Sequence, residues 1–190
     1  MLRQAVDVSF NMLSVDSDTS TSDTCAILAN GLAGVIDEKT FTAALVAGCI
    51  RMTETLARDG EGATRLLRVY VRGAANDPNA RRVAKSLVNS PLIKTMVNGA
   101  DPNVGRILMA VGKCIECKVS PAHTSASVNG FDVIRQGARV DFDDALVRTA
   151  LSTSTVDLVV ELGVGMASAT AYGCDLSTGY ITENAAYYSS

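Results

Sequence analysis

The chain has 190 residues, a net charge of −3 and a hydrophobic fraction of 47%, enough for one domain with a sizeable core and too little for two comfortable ones. Its 17 basic residues are scattered among 20 acidic ones, so the electrostatic footprint of a nucleic-acid binder is missing and nucleic acid is not an expected partner. Five cysteines, an odd number, with neither a signal peptide nor an apolar run of membrane-spanning length, point to a reducing, cytoplasm-like compartment and away from a membrane.

The opening "MLRQAVDVSF" enters directly on helical spacing, with Leu2, Val6, Phe10 and Leu13 on one face, as if further chain preceded it. Val15 to Thr24, "VDSDTSTSDT", then packs three aspartates and six hydroxyl side chains into ten residues. Ser22 or Asp23 is placed to cap a short helix carrying Cys25, Ile27, Leu28 and Leu32 that stops near Gly31 or Gly34. A longer helix is predicted in "DEKTFTAALVAGCIRMTETLARDG", with Phe41, Leu45, Cys49, Met52 and Leu56 inward and a stop at Gly60.

At "RLLRVYVRG" the period falls to 2, and Leu67, Val69 and Val71 mark a half-buried strand. "NDPNARRVAKSLVNSP" reads as a helix with Asp77 at its cap, Pro78 at its first position, Val83, Leu87 and Val88 inward, and Pro91 forcing the exit. "GADPNVGRILMAVGK" makes a turn and another short helix. Beyond it "CIECKV", "FDVIRQG", "TVDLVVELG", "ATAYGCDL" and "GYITENA" read as strands, with the helix "FDDALVRTALS" among them. The pattern describes one domain, residues 1–190, of α/β (α+β) class: a layered sandwich of helices on an antiparallel or mixed sheet.

Candidate chemistry is sparse. A calcium loop beginning at Asp16, Asp18 and Ser20 would need glycine and glutamate where Thr21 and Ile27 stand, so helix capping explains the polar cluster better. Cys114 and Cys117 form a C-x-x-C near His123, the only histidine, but a structural zinc site needs a second pair, and buried strand thiols are the simpler reading, with no metal expected. Gly163 and Gly165 begin a dinucleotide fingerprint that Ser168 breaks, with too little chain left for that fold, so the glycines are read as points of close backbone approach. Glu61, between Gly60 and Gly62 at a helix-to-strand junction, is either a solvated turn or a carboxylate given room to meet a ligand.

Taken together, "SFNMLSVDSDTSTSDT", "ARDGEGATRL", "NSPLIKTMVNGADPNVGRILMAVG", "ASATAYGCDL" and "ENAAYYSS" resemble, in order and spacing, the β chain of the ornithine acetyltransferase (glutamate N-acetyltransferase) family of arginine biosynthesis, from shortly after its start to its end. The resemblance implies the DmpA/ornithine acetyltransferase N-terminal-nucleophile-type fold and a precursor that cleaves itself into α and β chains. A threonine exposed by the cleavage takes acetyl from N-acetylornithine and passes it to glutamate, and some members also use acetyl-CoA as a co-substrate. No other cofactor is implied. The family's "TML" motif with that threonine lies upstream of Met1, so no catalytic nucleophile is expected within this chain, which would then be inactive alone and would depend on an α chain in a hetero-oligomer.

By the same resemblance Glu61 of "EGAT", Asn184 and Ser189 match substrate-binding positions, and the compartment is the cytoplasm, or the mitochondrial matrix in a eukaryote. Four positions depart from the family pattern: Ser17 replaces a usual glycine, Val104 a tryptophan, and Val164 and Met166 commonly charged residues. A catalytically silent amino-acid-binding or assembly remnant of the family is the alternative function, and an amide hydrolase on the same fold fits the motifs less well. In either case the isolated chain is expected to expose apolar surface and to aggregate.

Overall fold

The computed structural model describes residues 1–186. In chain order the helices are α1 (Leu2–Asp7), α2 (Glu38–Arg58), α3 (Asp77–Val88), α4 (Pro91–Asn98), α5 (Gly105–Gly112), α6 (Asp144–Leu151) and α7 (Thr178–Ala185). The strands are β1 (Leu13–Ser14), β2 (Leu66–Ala74), β3 (Ser125–Val128), β4 (Phe131–Arg135), β5 (Ala138–Arg139), β6 (Thr155–Glu161) and β7 (Ala167–Cys174). They form one mixed sheet ordered β1-β7-β2-β6-β3-β4-β5, in which β2 is parallel to β6 and antiparallel to β7. This is the α/β architecture with a mixed sheet that the sequence predicts. Among the described residues no helix is long and apolar enough to cross a membrane.

The period-2 pattern of β2 separates two chemistries. Leu67, Val69 and Val71 are fully buried and lie beside Gly173 and Ala171 of β7 and Val156, Leu158 and Val160 of β6. Val83, Ala84, Leu87 and Val88 of α3 and Ile93, Met96 and Val97 of α4 join the same core. The other face turns Arg68 and Tyr70 toward α2. There Arg68 reaches Asp157 at 2.6 Å and Glu54 of α2 at 3.2 Å, a network only a quarter to a third exposed.

Several sequence expectations are corrected. Around α1 the buried residues are Ala5, Ser9 and Met12 rather than Leu2, Val6, Phe10 and Leu13, because the helix ends at Asp7 and a 3-10 turn shifts the inward face. The helix expected after Ser22 does not form. Residues 22–34 are irregular, and Leu28, Leu32 and the neighbouring Val35 are 96%, 87% and 104% exposed. A short helix is marginal unless its apolar face is covered, and nothing among the described residues covers this one.

In α2 the buried stripe is Cys49, Thr53 and Ala57, while Phe41, Met52 and Leu56 face outward. Asn76, not Asp77, caps α3, accepting from Asn79 N. Pro91 does not merely end that helix: it opens α4, which Ser90 caps through Ile93 N. "CIECKV" is a turn at the end of α5, not a strand, and "GYITENA" belongs to α7, started by the Ser177 cap.

Candidate functional site

Where α2 runs into β2 the chain makes a tight turn, closed by Ala63 N donating to Gly60 O at 2.8 Å. Both glycines are required. A Cβ on Gly60 would lie 2.9 Å from the Cys174 sulfur, and one on Gly62, whose φ is +64°, would lie 2.3 Å from Tyr180 N and 2.4 Å from Gly179 C. The turn is therefore in backbone contact with the start of α7. Ser177 fastens the two together, its hydroxyl capping Gly179 N and donating to Gly62 O.

That docking aligns one face of α7 over Glu61. Asn184 Nδ2 donates to Glu61 Oε2 at 3.0 Å and is steadied by Tyr180 O, one helical turn back, also at 3.0 Å. Tyr180 in turn donates its hydroxyl to Asp16 Oδ2 at 3.2 Å. So the polar cluster near the chain's start contributes Asp16 to the same surface, rather than a helix cap. Slight burial, then the carboxylates of Asp16, Glu61 and Asp18, push the Tyr180 phenol up. Glu61, Asp16 and Asp18 form a negatively charged rim with an amide and a phenol among them, a set suited to an alkylammonium ligand.

Beneath the rim lies a buried polar layer whose residues fall within stretches that carry the family resemblance but whose roles are not visible in the sequence. Asp175, 2% exposed, accepts from Thr64 N at 2.7 Å, Thr64 Oγ1 at 2.6 Å, Arg65 N at 2.8 Å and Asn98 Nδ2 at 2.7 Å. Burial raises its carboxyl, but these four donors outweigh burial and hold it below the usual carboxylate value. Lys94, 4% exposed, points Nζ at Cys174 O and lies 3.8 Å from the Cys174 sulfur. Burial pushes its ammonium down.

Of the residues matched to substrate binding, Glu61 and Asn184 are brought together and Ser189 lies outside the described residues. Cys114 and Cys117 are buried free thiols in the turn after α5, and no group of His, Cys, Asp and Glu among the described residues could hold a metal. His123 packs its Cβ against Gly163, while Gly165 passes against the backbone of Ala74 and Ala75. Those glycines mark close packing, as the sequence suggested.

A sequence profile described as the ArgJ family matches residues 1–189. The chain belongs to the ArgJ family. It is 43% identical over 189 residues to the arginine biosynthesis bifunctional protein ArgJ of Rhodococcoides fascians, covering 98% of this chain and 47% of that protein. It is 42% identical over 194 residues to the glutamate N-acetyltransferase of Methanopyrus kandleri, covering 98% and 50%. The crystal structure of the arginine biosynthesis bifunctional protein argJ from Bacillus halodurans superposes with a TM-score of 0.93 at 36% identity, covering 98% of this chain and 91% of that one. This ArgJ-family chain thus spans about half the length of the curated relatives it matches.

Proposed function

We propose that the chain forms the amino-acid-binding part of a glutamate N-acetyltransferase of arginine biosynthesis, moving acetyl from N-acetylornithine to glutamate. The observation carrying this reading is the Glu61–Asn184 contact: two residues implied in substrate binding share one hydrogen bond within the acidic rim. Family membership supports the reaction class.

In this reading the acyl acceptor is a threonine hydroxyl supplied by the remainder of the longer protein. Its oxygen attacks the acetyl carbonyl of N-acetylornithine, the C–N bond breaks, and the proton goes to the departing ornithine amine, leaving an acetyl ester. Glutamate's amine then attacks that ester and the threonine regains its proton. Glu61 and Asn184 orient the substrate rather than react, with Ser189 as a third contact. Acetyl-CoA serves as an additional acetyl donor at the same ester-forming step.

The α chain would cover the exposed apolar segment around Leu28, Leu32 and Val35 and the outward side of α2, giving an α/β hetero-oligomer. Working in the cytoplasm or the mitochondrial matrix is consistent with a biosynthetic enzyme carrying free thiols. The test is co-expression of this chain with the missing half of a relative, followed by an assay of labelled acetyl transfer from N-acetylornithine to glutamate. Transfer lost on Glu61→Gln supports the reading. A correctly assembled complex that transfers no acetyl refutes it.

A further inference from the structure

Lys94 is the most deeply buried lysine of the chain, and nothing in the proposed reaction uses it. Among the described residues no carboxylate forms an ion pair with it, and its ammonium has only the carbonyl and sulfur of Cys174 as partners. Burying an ammonium against a neutral carbonyl costs free energy that a methionine of similar length would avoid. The position therefore calls for an explanation beyond filling space.

The local bonds supply one. Lys94 grips the end of β7 twice, donating Nζ to Cys174 O and accepting Leu176 N on its own backbone oxygen at 3.3 Å. Between those two points lies Asp175, which holds Thr64 and Arg65, and one residue beyond them lies Ser177, which holds Gly62 O and starts α7. The Cys174 sulfur also forms the floor against which Gly60 packs. Both sides of the Glu61 turn, and the helix bearing Asn184, are thus referred to one fixed stretch, Cys174 to Ser177.

We propose that Lys94 is a positioning residue for the Glu61 carboxylate, fastening the Cys174–Ser177 stretch to α4 so that the Gly60–Gly62 turn and α7 meet in register. The proposal rests on the reading of Glu61 and Asn184 as substrate-binding residues and adds the device that aims them. The route is Lys94 to Cys174 and Leu176, then Ser177 to Gly62, then Glu61.

The test has one arm that needs no ligand. In the folded Lys94→Met variant, amide hydrogen exchange is expected to quicken at least tenfold at Ala63, Thr64 and Leu176 and to stay unchanged at Val69 and Val71 in the middle of β2. Uniform acceleration, or none, overturns the proposal, since a residue that merely stabilises the domain moves all amides together. Ser177→Ala guards against a Lys94 variant that does not fold. It cuts the last link, and is expected to speed Ala63 while leaving Leu176 protected; an unchanged Ala63 refutes the route.

The second arm titrates ornithine into single and double variants. Lys94→Met is expected to weaken binding at least tenfold in the wild-type background and less than twofold in Glu61→Gln, because both act through one carboxylate. Full, independent losses in both backgrounds overturn the proposal. If the unmodified chain binds no ornithine, the substrate-binding reading fails, and the exchange arm alone decides the role of Lys94.

Discussion

The side-chain amide of Asn184 donates to the Glu61 carboxylate across 3.0 Å, joining residues 123 positions apart in the chain. Both are exposed, so the bond contributes little to stability and mainly fixes the direction of the carboxylate. Glu61→Gln is expected to weaken ornithine binding 10- to 100-fold, about 1.5–3 kcal/mol for a hydrogen bond to a charged group, while thermal stability stays within about 0.5 kcal/mol. Calorimetric titration beside a melting curve checks both halves, and an unchanged affinity removes Glu61 from the site.

Gly62→Ala should act through backbone alone. Its methyl would meet Tyr180 N and Gly179 C well inside contact distance at a φ of +64°, so α7 must move away. The expected cost is about 2–4 kcal/mol, with loss of the Asn184 contact. Urea unfolding gives the first figure, and the Asn184 side-chain amide resonance reports the second.

Ser17 adopts φ +81°, where an L side chain is strained. The glycine that the resemblance implies at this place would suit that backbone, which gives the substitution noted in the sequence a physical meaning. Ser17→Gly is expected to stabilise the chain by up to about 1 kcal/mol, read as a higher melting temperature; a lower one would show that the serine has found compensation elsewhere.

Asp175 predicts a pH dependence. Its folded pKa is depressed by the donors of Thr64, Asn98 and Arg65 despite burial, so its stabilisation is complete above the unfolded value of about 3.9 and falls away as pH drops through the lower folded value. Asp175→Asn replaces an acceptor-only carboxylate by an amide whose NH2 must face some of those donors, and should cost about 2–4 kcal/mol at pH 7. Unfolding at pH 7 and again at pH 3 is expected to show the gap between variant and wild type narrowing with acid. A gap independent of pH would mean that the carboxylate's charge is not what the network uses.

The open segment yields a prediction about self-association. Leu28, Leu32 and Val35 lie close together in sequence and are almost fully exposed, and clustered exposed apolar side chains favour association. Replacing all three by serine should reduce light scattering of the isolated chain without lowering its melting temperature. Equal scattering would place the sticky surface elsewhere, for instance on the outward residues Phe41, Met52 and Leu56 of α2.

What could be read from the sequence tracks how far each segment is governed by its own residues. β2, α3, β4, α6, β6 and β7 carry a clean period or a cap and form as expected. The stretch "GYITENA" is rich in residues that favour strands, yet Ser177 and the docking on Gly62 make it helical. Residues 22–34 show helical spacing and a cap but no surface to bury against. Glu61 stood out because two glycines flank it, whereas its link to Asn184 came through family resemblance. Lys94 and Asp175 fall within stretches that carry the resemblance, but their roles and that of Ser177 are not legible there, because their partners lie on other elements and only the folded chain brings them together.

Among the described residues β7 is the last strand in sequence, and it lies between β1 and β2, pairing with both. During synthesis β1 and β2 therefore wait without their shared neighbour until β7 has been made, and Glu61 meets Asn184 later still. Contacts of such long sequence separation make folding slow, and throughout that wait the unpaired edges of β1 and β2 and the apolar stretch after Thr24 are open to other chains. A cell making this protein would gain most from chaperone protection in the interval between emergence of β2 and emergence of α7.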